Sequence, residues 1–408
     1  MRIHIVCLFV VCIAFILAES ASGSEQTCGV DYTIALHPDR DSATVSICLE
    51  NGALFNRLDF HLKPDQQSDL HADGKLRIDG DRAIWEPPEG QAVLSLTAKL
   101  THQRKSGKYD ARMTPDWAIF RGDDMIPAVK VRTVKDATFL AKLHFVLPPG
   151  WTNVDTGWPR EPDGSFTIDN PRRRFDRPVG WMIAGKVGTR REIIGSTEIC
   201  VGAPVGSTMH RMDILTFINF IWRDVVRTFE KIPGKLLLVG ANDPMWRGGL
   251  SSPNSLFLHA DLPLISENTA SSTLIHELTH VITRIRGELN DDWIAEGLAE
   301  YYSIELIYRA GGMSEARYQK ARNWLALRSH DVTTLRVVNS KGPVTARAVI
   351  LFQDLDKEIR RLTKEKYNID DVTRKLMKQR KVSLDDLRRI SEQLVGGKIV
   401  VLDTPLLK

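Results

Sequence analysis

The chain has 408 residues, 43% apolar and 26% charged, with 55 Lys and Arg against 51 Asp and Glu for a formal net charge of +4. This is the composition of a globular protein of two or three domains at about 100–200 residues each, and it excludes disordered, collagen-like and repeat architectures. The basic residues are dispersed, without RNA-binding aromatics or a zinc-finger pattern, so no nucleic-acid partner is expected.

Arg2 precedes an apolar run from Ile3 to Ala18, and Ser20-Ala21-Ser22-Gly23-Ser24 follows it. A basic start, a short apolar core and small residues predict a signal peptide over 1–22 and an exported protein, periplasmic or secreted. That run is shorter than the roughly 20 residues of a spanning helix, and no later segment reaches that length, so no stable membrane span is expected after signal removal. Beyond it lie Cys28, Cys48 and Cys200. In an oxidising compartment one disulfide is expected, preferably Cys28–Cys48, which flank the first predicted hairpin, with Cys200 as the open alternative.

From 27 to 205 the apolar pattern is short and of period two. Tyr32-Thr33-Ile34-Ala35-Leu36 and Ala43-Thr44-Val45-Ser46-Ile47-Cys48-Leu49 flank the turn-forming His37-Pro38-Asp39-Arg40-Asp41. Further runs at 92–100, 139–147 and 193–201 are separated by breaks such as Pro148-Pro149-Gly150. An all-β, sandwich-like N-terminal domain is predicted.

From 206 to 408 the period becomes helical. A helix is expected over 212–229, then a buried strand at Lys235-Leu236-Leu237-Leu238-Val239, a loop, and helices near 270–286, 292–309, 314–329, 344–364, 369–380 and 383–396. Ser383 with Asp386 three residues on resembles a capping box, and Gly287 and Gly311-Gly312 supply stops. The fold class is therefore α+β, a β-rich domain followed by a mostly helical one.

The chemistry-bearing stretch is His276-Glu277-Leu278-Thr279-His280, an H-E-x-x-H on a predicted helix. Histidines at i and i+4 share one helix face, so both imidazoles can bind one ion, while Glu277 is placed to hold and activate a zinc-bound water. Leu274, Leu278, Val281, Ile282 and Ile285 form the opposite, packed face. A zinc site needs a third protein ligand. After a break at 287–291 the next helix supplies Glu296, with Glu300 one turn on to accept the free N–H of a ligand histidine. The expectation is one Zn2+ per chain, held by His276, His280 and Glu296, with Glu277 catalytic.

At these residues the chain resembles the gluzincin metallopeptidases, most closely the glycyl-aminopeptidase-like family, whose H-E-x-x-H precedes a helix close to W-x-x-E-G-x-x-x-Y-Y. Trp293-Ile294-Ala295-Glu296-Gly297-Leu298-Ala299-Glu300-Tyr301-Tyr302 matches it, with 15 residues between His280 and Glu296. Gly248-Gly249-Leu250-Ser251-Ser252-Pro253-Asn254-Ser255 resembles that family's strand-edge segment G-G-L-E-H-x-x-S, so Gly248, Gly249, Leu250 and Ser251 are implied to line the substrate cleft. The resemblance covers most of 30–365 and does not extend to the PDZ module often appended to that family. It implies a thermolysin-like catalytic domain and zinc-dependent hydrolysis of peptides or proteins.

Two departures qualify what it implies. Ser251 stands where the family has the carboxylate that recognises a free α-amino group, so strict aminopeptidase specificity is not expected. Thr345-Ala346-Arg347-Ala348 occupies the stretch that normally brings an oxyanion-stabilising tyrosine. Arg347, Tyr318 and His330 are the candidates to replace it. The alternative reading is a weak or inactive zinc-binding member serving as a binding or assembly module.

Overall fold

The computed structural model of the chain describes residues 26–169 and 175–408. The expected signal peptide lies outside the described residues. Up to residue 185 the described chain is β-rich and forms three sheets around one apolar core that includes Val30, Leu58, Leu94, Ala118 and Phe166. The first is six-stranded, in the order Phe166–Ile168, Ala137–Val146, Gln26–His37, Ser42–Leu49, Ala92–Lys99, Gln67–Ala72. A four-stranded sheet contains Phe55–His61, and a five-stranded sheet contains Trp117–Arg121 and Trp181–Gly185. One helical turn, α1 (Gly122–Met125), interrupts this region.

The first hairpin forms where period-two patterning places it, and its register corrects the disulfide expectation. Asp31 pairs with Cys48 and Val30 with Leu49. Cys28 therefore lies on the core face with Val30 and Tyr32, whereas Cys48 lies on the outer face, because alternate residues of a strand point to opposite sides. Cys28, Cys48 and Cys200 are all free thiols.

The run expected at 193–201 is also corrected. It is a hairpin, Val187–Ile194 with Thr197–Pro204, turning where Gly195 takes a φ of 63°. A two-residue Gly-Ser loop is a hairpin signal, and the apolar residues on either side masked it. This hairpin pairs in parallel with Lys235–Val239, so one sheet crosses the expected boundary at 205. The loop expected after 239 holds a second hairpin, Gly249–Ser252 with Ser255–Leu258, and Gly249–Ser252 is the sheet's edge.

The helices follow: α2 (Arg211–Phe229), α3 (Thr273–Thr283), α4 (Asp292–Arg309), α5 (Glu315–Arg328), α6 (Pro343–Thr363), α7 (Ile369–Leu376) and α8 (Leu384–Val395). The box predicted at Ser383 and Asp386 caps α8, and Asn368 with Asp371 does the same for α7. No helix among the described residues is long and apolar enough to cross a membrane. The crossing sheet gives one face to the helices through Ile199, Val201, Leu236, Leu238, Leu256 and Leu258. Its other face, with Leu237, Val239 and Phe257, packs on Ile119, Trp181 and Ile183 of the β-rich region.

A buried charge cluster fastens that second contact. Asp155 is fully buried and binds Lys235 Nζ at 2.9 Å, the Arg191 guanidinium, and the Cys200 thiol at 3.2 Å. Burial alone would raise the Asp155 carboxyl, but Lys235 and Arg191 outweigh it and hold it below its usual range. The same burial, with Asp155 beside it, pushes the Cys200 thiol well above its ordinary value, so it stays protonated. Asp155→Ala would strand Lys235 without its counter-charge. A loss of about 3–5 kcal/mol is expected, read from the urea midpoint; an unchanged midpoint would show that the cluster carries no stability.

Candidate metal centre

Helix α3 starts at Ser272, whose side chain accepts a hydrogen bond from Ile275 N. Leu274, Ile275, Leu278, Val281 and Ile282 are buried in the core, which leaves His276, Glu277 and His280 on the half-exposed face. Helix α4 is buried on nearly every side, and Glu296 and Glu300 are half-exposed on the stripe turned to α3. Its start is anchored by Asp291, a buried carboxylate that accepts from Trp293 Nε1 at 3.2 Å, Arg336 Nη1 at 2.8 Å and Leu384 N at 3.1 Å.

Three donors converge. His276 Nε2 lies 3.2 Å from His280 Nε2, and each lies 3.4 Å from a Glu296 oxygen. Zinc–nitrogen bonds of about 2.0–2.1 Å in a tetrahedron place ligand atoms about 3.3–3.4 Å apart. The two imidazole nitrogens are therefore spaced close to what a tetrahedral zinc needs, each faces a different Glu296 oxygen, and one atom from each of the three residues lies within 4.8 Å of the others; among the described residues they form the one His/Cys/Asp/Glu group that could hold an ion. Glu300 Oε2 lies 3.0 Å from His276 Nδ1, which fixes that imidazole with its Nε2 toward the convergence point.

The electrostatics match a site built for a cation. Burial works against charge on His276, but hydrogen bonds to Glu296 and Glu300 outweigh it and push the imidazole up to about 10. Glu296 and Glu300 would each be raised by burial, and the histidine contacts bring both down instead, Glu296 far below its usual range. Asp292, one turn before Glu296, is raised by burial.

Glu277 makes no hydrogen bond or ion pair among the described residues. It lies against the edge strand, where a Cβ on Gly249 would sit 2.4 Å from its Cγ and 2.8 Å from its Oε1. A side chain at this position would force Glu277 to shift. Gly248 abuts Trp246, Leu250 turns to the opposite sheet face beside Trp246, and Ser251 is exposed.

The candidates for an oxyanion donor are elsewhere. Tyr318 donates to Glu305 at 2.9 Å and accepts from Gln353 at 3.1 Å. His330 is exposed, bound to Leu327 O and Asp331. Arg347 is half-buried on α6, without a hydrogen bond or ion pair among the described residues. Tyr301 and Tyr302 are buried in the helical core. Sequence reasoning missed the Asp291 anchor and the Gly249–Glu277 contact, since neither has a local spacing to betray it.

No family model and no curated protein matches this sequence. Solved structures do match. An aminopeptidase N family protein from Idiomarina loihiensis superposes with a TM-score of 0.65 at 17% identity, over 86% of this chain and 70% of that one. An M1 zinc metallopeptidase from Deinococcus radiodurans gives 0.58 at 14% identity, over 94% and 93%. Leukotriene A4 hydrolase from Saccharomyces cerevisiae gives 0.56 at 16%, over 93% and 67%. The chain has the M1 zinc metallopeptidase fold, with a β-rich N-terminal region and a helical C-terminal part.

The proton on His276 makes the donor set testable. A ligand imidazole must be neutral, whereas metal-free His276 stays charged up to about pH 10. Zinc binding near pH 8 should therefore release at least one proton, that of His276, in addition to the one lost by a zinc-bound water, and apparent affinity should rise with pH below 10. Calorimetry in buffers of different ionisation enthalpy reads this directly; release of no more than the bound water's proton would argue against His276 as a ligand.

Proposed function

We propose that the chain is an exported zinc-dependent peptidase that hydrolyses peptide bonds in exported peptides or proteins. His276, His280 and Glu296 hold one Zn2+, Glu300 orients His276, and Glu277 is the general base. The observation that carries this reading is the convergence of two imidazole Nε2 atoms, 3.2 Å apart, on the Glu296 carboxylate, each 3.4 Å from one of its two oxygens, beside a carboxylate without a partner. Export rests on the sequence of residues 2–24. The finer kinship to the glycyl-aminopeptidase-like proteins rests on Trp293 to Tyr302 and Gly248 to Ser255.

Bound there, zinc supplies Lewis acidity that polarises a carbonyl and brings water's pKa down to about 7. The rest is done by the protein. Glu277 takes a proton from the attacking water and returns it to the leaving amine. Gly249–Ser252 offers an unpaired strand edge, along which an extended substrate can hydrogen-bond as an added strand. Gly249 lets that edge approach the Glu277 carboxylate closely. Ser251 brings no charge for a free α-amine, so substrates with blocked and free N-termini are both admitted. A Deinococcus radiodurans M1 zinc metallopeptidase of this fold has been seen with a Tyr-Ser-Ala substrate, which supports the peptide class.

The second reading, a zinc-binding module with weak or no activity, draws on Tyr318 and His330 being engaged away from the donors. Losing one oxyanion donor costs about 10²–10³ in rate, which makes a slow enzyme rather than an inert one. A peptide-library digest separates the readings: metal-dependent cleavage by the wild type is expected, and full zinc content without cleavage would favour the module.

Glu277→Gln should lower hydrolysis by about 10²–10⁴-fold while zinc content stays near one per chain. Equal activity in that variant would end its role as base. Gly249→Ala should push the Glu277 carboxylate aside and cost about 10–100-fold in kcat, with zinc retained. A variant with undiminished kcat would show that the contact does not position the base.

A further inference from the structure

The strand edge Gly249–Ser252 has two faces. Gly249 is turned toward Glu277 and Leu250, the next residue, toward the β-rich half, because successive strand residues face opposite sides. A substrate laid along this edge as an added strand therefore points alternate side chains toward Glu277 and toward the β-rich half. On that second side lie Tyr109, Trp117 and Trp246, each partly exposed, which pack with Leu250 on the cluster of Ile119, Trp181 and Phe257. Tyr109 is tied to the start of the edge strand. Its N–H donates to Pro244 O at 3.0 Å, its carbonyl accepts from Trp246 N at 2.8 Å, and the Trp246 indole abuts Gly248.

Three arginines of this region lie on aromatic rings: Arg104 on Trp246, Arg121 on Trp181, and Arg112 on both Tyr109 and Trp117, 5.2 and 5.9 Å from the ring centres. Two of them hold a carboxylate. Arg104 Nε donates to Asp110 at 3.1 Å, and Arg121 Nε to Asp124 at 2.9 Å. The Arg112 side chain makes no hydrogen bond or ion pair among the described residues. It is half-buried on the strand Tyr109–Met113, opposite Ile119, so it shares the face turned to the crossing sheet. Two ring faces orient this guanidinium and no counter-charge occupies it, which leaves its fork of N–H donors to grip one carboxylate.

We propose that Arg112, held between Tyr109 and Trp117, is the specificity-determining residue of the cleft and selects peptides with an aspartate or glutamate side chain at one position beside the scissile bond. This rests on the peptidase reading for what lies along the edge. The substrate's carboxylate supplies the counter-charge that the chain itself withholds, and a lysine in the same place meets like charge. A purely structural role would also use Arg112, since a guanidinium on two aromatic faces braces the strand that carries it. That role predicts a lowered melting temperature on substitution and no preference among substrates.

The test uses pairs of end-blocked peptides that differ only by glutamate against glutamine, with the glutamate moved one position at a time. The zinc-loaded full chain is compared as wild type, Arg112→Gln and Arg112→Lys, reading kcat/KM and melting temperature. Calorimetry gives dissociation constants for the same peptides on the same three chains carrying Glu277→Gln, which slows cleavage. At one position the wild type should favour glutamate about 10–100-fold, the scale of a hydrogen bond to a charged group. Arg112→Gln should lose that preference while the glutamine peptide is handled as before, and Arg112→Lys, which keeps the charge, should retain part of it. Should Arg112→Gln fail to fold, Arg112→Met keeps the apolar stem and takes its place. No preference in the wild type at any position, or one that survives in Arg112→Gln, would overturn the proposal, and a lowered melting temperature alone would leave Arg112 a brace. Cleavage of none of the peptides would remove the peptidase reading instead; binding to the Glu277→Gln chains then decides the role of Arg112 by the same comparison.

Discussion

The antiparallel register of α3 against α4 is the constraint on which the rest of the site depends. Bringing two imidazoles and a carboxylate within 3.4 Å of one another costs desolvation, and nothing polar in the donors themselves would hold two helices so close. The apolar faces do that. Leu274, Ile275, Leu278 and Val281 from α3 enter the same core as Trp293, Ile294, Leu298 and Tyr301 from α4. Behind Glu296, a Cβ on Gly297 would fall 2.6 Å from the Ala348 Cβ, so α6 presses directly on α4 at the ligand position. Trp293 stacks on Phe352 one turn earlier, and Asp291 ties its indole to Arg336 and to the start of α8. The rotation of α4, and with it the aim of Glu296, is set by packing on three sides.

What could be read in the sequence follows from how local each signal is. The helices of the second half were legible because their apolar residues recur at helical spacing, and caps such as Ser383 with Asp386 mark their ends. The pair His276 and His280 was legible because i and i+4 share a face whatever surrounds the helix. Glu296 needed one more inference, that a short break turns the chain back. Beyond that range, prediction failed where register or tertiary contact decides. Cys28 and Cys48 looked like partners because both flank a hairpin, yet one residue of register puts them on opposite faces. The run at 193–201 hid a two-residue turn. Tyr318 was a candidate by residue type alone; it bonds Glu305, which lies two and a half turns beyond Glu296 on α4, about 13 Å along the axis.

The β-rich half belongs to the site as much as the helices do. Trp181 of that half donates its indole N–H to Leu250 O at 2.9 Å and its backbone N–H to Ser255 Oγ at 2.7 Å. Gly180 approaches the Pro253 carbonyl so closely that a Cβ there would lie 2.5 Å away. The edge strand Gly249–Ser252 is thus braced from behind by one half of the chain while Gly249 touches Glu277 of the other. Asp155, Arg191 and Lys235 lock the same two halves a few strands away.

The distribution of tyrosines bears on how fast such a site can work. Two tyrosines end the motif on the Glu296 helix, but the Tyr302 hydroxyl is held between Asp370 Oδ1 at 3.1 Å and Thr373 Oγ1 at 2.9 Å, and Tyr301 is buried beside it. A phenol committed to the core cannot swing to a carbonyl without leaving a buried polar group unpaired, at a cost of about 1–3 kcal/mol. Tyr318 is similarly held between Glu305 and Gln353. Of the side chains weighed for charge developing on a substrate oxygen, only Arg347 remains uncommitted, and the strand edge offers backbone N–H groups beside it in the inventory of donors. Backbone donors are fixed by the sheet and need no rearrangement during reaction. On the proposed reading, hydrolysis would rely on a strand edge fixed by the sheet and on Glu277, without the additional rate that a dedicated hydroxyl would supply.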